Sequence, residues 1–209
     1  MRIAIIACDH FKRELEALTA GDEDFVHREY LEYELHEKPK DLKARIIEKI
    51  QDLAGKVDAV LIGYAVCGSL KNIENEVDVP SARFQADDCV GVYLTQEVYS
   101  QERRKGHTYF STPYFSDMDM EWHERDWKSK LGPAAEGIDA KEFIVRLFDS
   151  YTRTLYVHTI GEREPFEVKA KKFADDLSLS YESTEGTLRV MEEAIERVKE
   201  KAREAKKRD

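Results

Sequence analysis

Short apolar runs alternate with amphipathic helices through the first hundred residues, and this alternation restricts the fold more than any other feature of the chain. Met1–Ala7 (MRIAIIA) is short and apolar apart from Arg2, as a strand buried on both faces would be. Phe11–Leu18 follows with apolar residues at helical spacing and is closed by Gly21. Phe25–His36, with its Phe, Val and Tyr content, reads as an extended segment. Pro39 then opens a helix over Asp41–Leu53, on which Leu42, Ile46, Ile47, Ile50 and Leu53 form one apolar stripe. Asp58–Tyr64 (DAVLIGY) is a further strand, Gly68–Glu76 a short helix, Pro80–Phe84 a weaker strand, and another helix starts at Asp87. Strands alternating with helices build parallel sheets with right-handed crossovers. The expected fold is α/β: a Rossmann-like, doubly wound, mostly parallel sheet with an aromatic-rich insertion and a C-terminal helix.

At 209 residues the chain is expected to form a single α/β domain spanning 1–209. Its strand–helix core occupies 1–100. Residues 101–138 carry Tyr109, Phe110, Tyr114, Phe115, Trp122 and Trp127 with weak periodicity, and read as a segment covering a core or a site. Residues 139–209 supply a helix at Glu142–Phe148, a strand at Thr154–Thr159, a helix at Phe166–Leu177 and a terminal helix at Leu188–Arg208. The last turns, from Ala202 on, are charged and read as a frayed end whose deletion should cost little.

A net charge of −10 argues against a nucleic-acid surface, which requires clustered Lys and Arg. No apolar stretch approaches the ~20 residues of a membrane span, so no membrane partner is expected and the reading is cytoplasmic. Three cysteines without a disulfide-like pattern fit a reducing compartment. There is no G-x-G-x-x-G after the first strand, no G-x-x-x-x-G-K-[ST], no G-x-S-x-G, no H-E-x-x-H and no C-x-x-C. Conventional nucleotide-binding and hydrolase chemistry is therefore not indicated.

The cysteines are the chemical signal. Cys8, Cys67 and Cys89 each lie just beyond the end of an expected strand, where open parallel sheets bind ligands. Gly63 and Gly68 near Cys67, and Gly91 near Cys89, suit loops in which backbone approaches a ligand. Three thiolates sharing a cavity favour soft metals. Two centres fit: a [4Fe–4S] cluster with one iron left open for a small thiol, sulfide or carboxylate, or a zinc ion with an open or histidine-filled fourth place, suited to thiol alkylation or methyl transfer. A third reading is a non-catalytic small-molecule binding module in which the cysteines are simply packed. His10, Tyr64 and Asp88 stand beside the cysteines as candidate catalytic groups, although Asp87 and Asp88 are also natural caps for the following helix. His36, His107 and His158 stand alone and read as structural or surface residues.

These motifs resemble the family catalogued as domain of unknown function 1638, from archaea and anaerobic bacteria. The resemblance rests on IIAC followed by Glu14, ELHEKPKDL with His36, GYAVCG, ADDC, GHTYFSTPYF and YTRTLYVHTIG. Asp87 stands where the family usually has histidine, His158 where an acidic residue is expected, and the chain closes on a charged helix instead of a Gly/Pro-rich end. The resemblance implies a Rossmann-like fold with the three cysteines retained. It also implies a setting of anaerobic one-carbon or corrinoid-linked metabolism, with a homo-oligomer or a corrinoid or methyltransferase protein as partner.

Overall fold

In the computed structural model, which describes residues 1–208, the apolar runs become parallel strands of two separate sheets. Strand β1 (Ile3–Cys8) is buried at every position, as a run of Ile and Ala packed on both faces requires. A 3-10 turn at Asp9–Phe11 leads into α1 (Lys12–Leu18) and then β2 (Phe25–Leu31). A second 3-10 stretch, Tyr33–Glu37, precedes α2 (Pro39–Gln51), which buries Leu42, Ile46 and Ile50 from its stripe and leaves Ile47 half-buried. β3 (Ala59–Gly63) and β4 (Ser81–Arg83) complete a four-stranded parallel sheet of order β2-β1-β3-β4. The helix expected over Gly68–Glu76 reduces to turns and one 3-10 turn at Ile73–Asn75. Asn72 takes left-handed backbone there (φ 61°), which breaks helical continuity.

Helix α3 (Cys89–Arg104) is interrupted at Thr95 (φ 64°, ψ 156°), a conformation that a β-branched residue adopts only under strain. The chain passes there from one compact unit to another: residues 1–96 with 187 onward form the first, and Glu97–Gly186 the second. Each unit has a parallel sheet of its own, and the whole is the Rossmann-like α/β architecture with a C-terminal helix that the strand–helix alternation implies.

The second unit contains β5 (Thr108–Ser111), α4 (Pro113–Ser116), α5 (Met120–Leu131), α6 (Ala140–Leu147), β6 (Arg153–His158), α7 (Glu164–Asp176) and β7 (Ser180–Glu185). Its strands run parallel in the order β5-β6-β7. Met120, Trp127, Ile144, Phe173 and Leu177 form its core, with Tyr109, Phe143 and Phe148 packed on them. The aromatic segment, read as covering a core or a site, supplies Met120 and Trp127 to the core of its own unit; the Trp127 and Phe143 ring centroids are 4.6 Å apart. At the start of β6 the buried Arg153 pairs with Glu102 and Glu182, both at 2.7 Å.

Helix α8 (Arg189–Arg208) returns to the first unit and packs on β1, β3 and β4. Met191, Ala194, Ile195, Val198 and Ala202 are buried along one face. The end read as frayed is therefore docked as far as Ala202, and Lys206 reaches Asp58 at 3.4 Å. Among the described residues, no helix is long and apolar enough to cross a membrane.

Candidate functional site

In the strand order β2-β1-β3-β4, the direction of winding reverses between β1 and β3, and the carboxyl ends of strands flanking such a reversal form a natural ligand crevice. Cys8 is the last residue of β1, and Cys67 lies in the turn that follows β3. Pairing continues past the ends of β3 and β4. Phe84 N–H donates to Tyr64 O (3.1 Å), Val66 N–H to Ala86 O (3.0 Å) and Cys67 N–H to Asp87 O (2.9 Å). These bonds tie the Cys67 turn to the segment that ends at Cys89, the first residue of α3. Cys67 and Gly68 both have left-handed backbone (φ 44° and 72°). Gly68 is the residue type that such a turn favours; for Cys67 the same conformation costs about 1–2 kcal/mol.

All three cysteines are free. Burial pushes the Cys8 thiol up to about 12, and Cys67, Asp9 and Glu34 add to the effect against the backbone N–H of His10. Cys67 is raised to about 11, first by burial and then by Asp88, with Ala65 N–H and Arg83 opposing. Cys89 keeps some exposed area, yet its surroundings carry it well above the ordinary thiol range, with burial first, then Asp88, Cys67 and Cys8. The thiols therefore lie within electrostatic reach of one another, in an acidic neighbourhood. At neutral pH each is protonated and, left to itself, a poor nucleophile.

Tyr64 is fully buried beside Cys8 and Cys67, and its hydroxyl has no hydrogen-bond partner. Burial and those two cysteines raise it above the usual phenol range, so it stays a donor. His10 is buried just after Cys8, stacked on Phe11 (5.0 Å) and edge-on to Tyr93 (5.3 Å). Burial, with His36 adding, lowers it to about 3 and keeps it neutral. The Tyr93 hydroxyl donates to His10 O (3.0 Å) and to the buried Glu14 (3.2 Å). Asp88 accepts from Gly91 N–H (3.0 Å) and so caps α3. Asp87 accepts from Gln96 (2.7 Å).

The structure thus brings Cys8, Cys67, Cys89, Tyr64 and His10 into one neighbourhood, with Gly68 in the Cys67 turn and Asp88 capping the helix that starts at Cys89. Among the described residues, no group of three or more His, Cys, Asp or Glu is arranged so that it could hold a metal ion. The cysteines are neighbours here without forming a ligand cage. Sequence reasoning missed Tyr93 and Tyr33, and read His36 as a structural or surface residue. The rule that singled out the cysteines would have found His36, which follows the carboxyl end of β2.

No curated protein matches the chain. The family model described as "Protein of unknown function (DUF1638)" matches residues 30–195, a span that includes Cys67, Cys89 and His36 and begins after Cys8. With most of its length matched, the chain belongs to the DUF1638 family.

Proposed function

We propose that Cys8, Cys67 and Cys89 hold a [4Fe–4S] cluster whose fourth iron is open to a small thiol, sulfide or carboxylate. One observation carries this reading: three thiols at the β1/β3 switch point share a buried, acidic neighbourhood in which none ionises by itself. Such thiols do nothing as free nucleophiles, whereas a metal deprotonates a coordinating thiol outright. The cysteines arrive from β1, β3 and β4, whose backbones span about 10 Å at ordinary strand spacing. A cluster separates its ligand sulfurs more widely than a single zinc ion does, and suits donors spread in this way. The Tyr64 hydroxyl is a buried donor without an acceptor, as the surroundings of an anionic sulfur require. Bound there, the cluster supplies a Lewis-acidic iron, while the protein positions the ligand and excludes bulk water.

The test is iron, sulfide and zinc analysis of anaerobically purified protein, together with its visible absorption. Iron and acid-labile sulfide in a brown protein are expected. Cys8→Ser, Cys67→Ser and Cys89→Ser should each remove most of the metal, not a third of it, because the thiolates act as a unit. A colourless protein holding zinc replaces this reading with a zinc-thiolate centre. A protein that never takes up metal, and whose three variants lose stability independently, shows packed cysteines instead.

A further inference from the structure

Strand β7 closes one side of the second unit's sheet, and its outer edge is unguarded. Edge strands are usually protected by proline, a bulge or unpaired charge. Ser180–Glu185 has no proline, and its ladder with β6 runs without a register shift. Its two acids are neutralised by arginines of the same unit, Glu182 by Arg153 (2.7 Å) and Glu185 by Arg163. Ser180 N–H donates to Thr152 O and Gly186 N–H to His158 O, so the even-numbered residues bond toward β6. The N–H and C=O groups of Tyr181, Ser183 and Glu185 therefore point outward, and among the described residues β7 pairs with no strand but β6.

Beside this edge α7 borders a cleft of about 420 Å³ lined by Arg163, Glu164, Glu167, Val168, Lys171 and Tyr181. Val168, 60% exposed, is the most exposed large hydrophobic side chain among the described residues. Glu167 is hydrogen-bonded by Tyr181 (3.0 Å) and by Ser183, which sets Val168 level with the middle of β7. Glu164 and Lys171 lie one turn to either side of Val168, both exposed, and among the described residues neither forms an ion pair.

We infer that a second copy of this chain covers this edge, with the two β7 strands antiparallel about a two-fold axis at Ser183 and the two sheets joined into one. Such an axis, perpendicular to the sheet, preserves its faces and so passes through a residue, not between two. At Glu182 it would set like charges directly opposite each other, which is destabilising. At Ser183 it sets Tyr181 against the partner's Glu185 and Glu182 against the partner's Thr184, with every outward N–H and C=O of β7 bonded across the axis. α7 packs over both β6 and β7, about half a strand spacing inside the edge. With paired strands ~4.8 Å apart, the two α7 helices then run antiparallel about 10 Å apart, a distance at which helices pack. Val168 meets its own copy, and Glu164 faces the partner's Lys171 twice by symmetry. That charge pattern is self-complementary, as an isologous interface requires.

The experiment is sedimentation equilibrium of the full chain at neutral pH with reductant, which prevents interchain disulfides. Wild type is expected to be a dimer at micromolar concentration. Ser183→Pro removes the outward N–H at the axis and spares the bonds to β6. It should be monomeric with the wild-type tryptophan emission, which reports the fold of the second unit. Glu164→Lys and Lys171→Glu should each raise the dissociation constant about tenfold, because two attractions become two repulsions. Combining them restores the pair with its signs exchanged, and the dissociation constant should return to the wild-type value. If Ser183→Pro does not fold, the charge variants decide. A wild-type monomer, a dimer indifferent to a folded Ser183→Pro or to both charge reversals, or a double variant that fails to recover, overturns this inference.

Discussion

Gly63 lies opposite Ala7 across the β1–β3 ladder. A Cβ on Gly63 would overlap that of Ala7, and would come within 3.1 Å of Ala7 Cα and 3.2 Å of Leu15 Cδ1. Backbone in the middle of a buried sheet has little room to yield. Gly63→Ala is therefore expected to destabilise the first unit by about 1–3 kcal/mol, seen as a lower urea midpoint in far-ultraviolet circular dichroism. An unchanged midpoint would mean that β1 and β3 are less tightly apposed than described. The glycine next to a cysteine motif thus serves the neighbouring strand, whereas from the sequence it suits close approach of a ligand.

The second unit packs His123, on α5, against aromatic neighbours, stacked on Phe173 at 5.2 Å and edge-on to Phe148 at 5.6 Å. Its Nε2 is buried without a partner. Burial lowers its pKa from 6.5; Asp126 and Asp119 oppose the shift and Lys130 assists it. A histidine depressed in the folded state binds its proton better when unfolded. Its contribution to stability is complete above about 6.5 and is lost as pH falls through the lowered folded value. His123→Phe should therefore flatten the fall of thermal midpoint between neutral and mildly acidic pH. Tryptophan emission reads this unit alone, since Trp122 and Trp127 are the chain's two tryptophans and both lie within it. An equally steep fall in the variant would place the proton uptake elsewhere. Elements were legible wherever an apolar pattern survives. The α2 stripe and the uniform run of β1 both became buried faces. β7 was not legible: Ser180–Glu185 (SYESTE) is an edge strand without an apolar run, and its ladder with β6 comes from backbone bonds that leave no mark on composition. Tyr109 and Trp127 left two readings open, because an aromatic cover and an aromatic core have the same sequence appearance. At the site, the cysteines were legible from their strand ends. Tyr93 was not, because its approach to His10 and Glu14 depends on how α3 packs.

The first unit is discontinuous in sequence, and the second is one uninterrupted stretch. The sequence concealed this division because two small parallel sheets show the same strand–helix rhythm as one larger sheet. A chain stopped after Gly186 should keep the tryptophan emission of the second unit. Without Met191, Ala194, Val198 and Ala202 covering β1, β3 and β4, its residues 1–96 should become sensitive to proteolysis. If 1–96 stays protected, the sheet closes without α8. The same connectivity sets an order of events during synthesis. The strands that carry the cysteines are made before the middle stretch, yet they stay apolar and uncovered until α8 has been made. The middle stretch, complete well before then, can finish folding in the meantime. Assembly of the cysteine-bearing unit can therefore be completed only once α8 is there to cover its sheet.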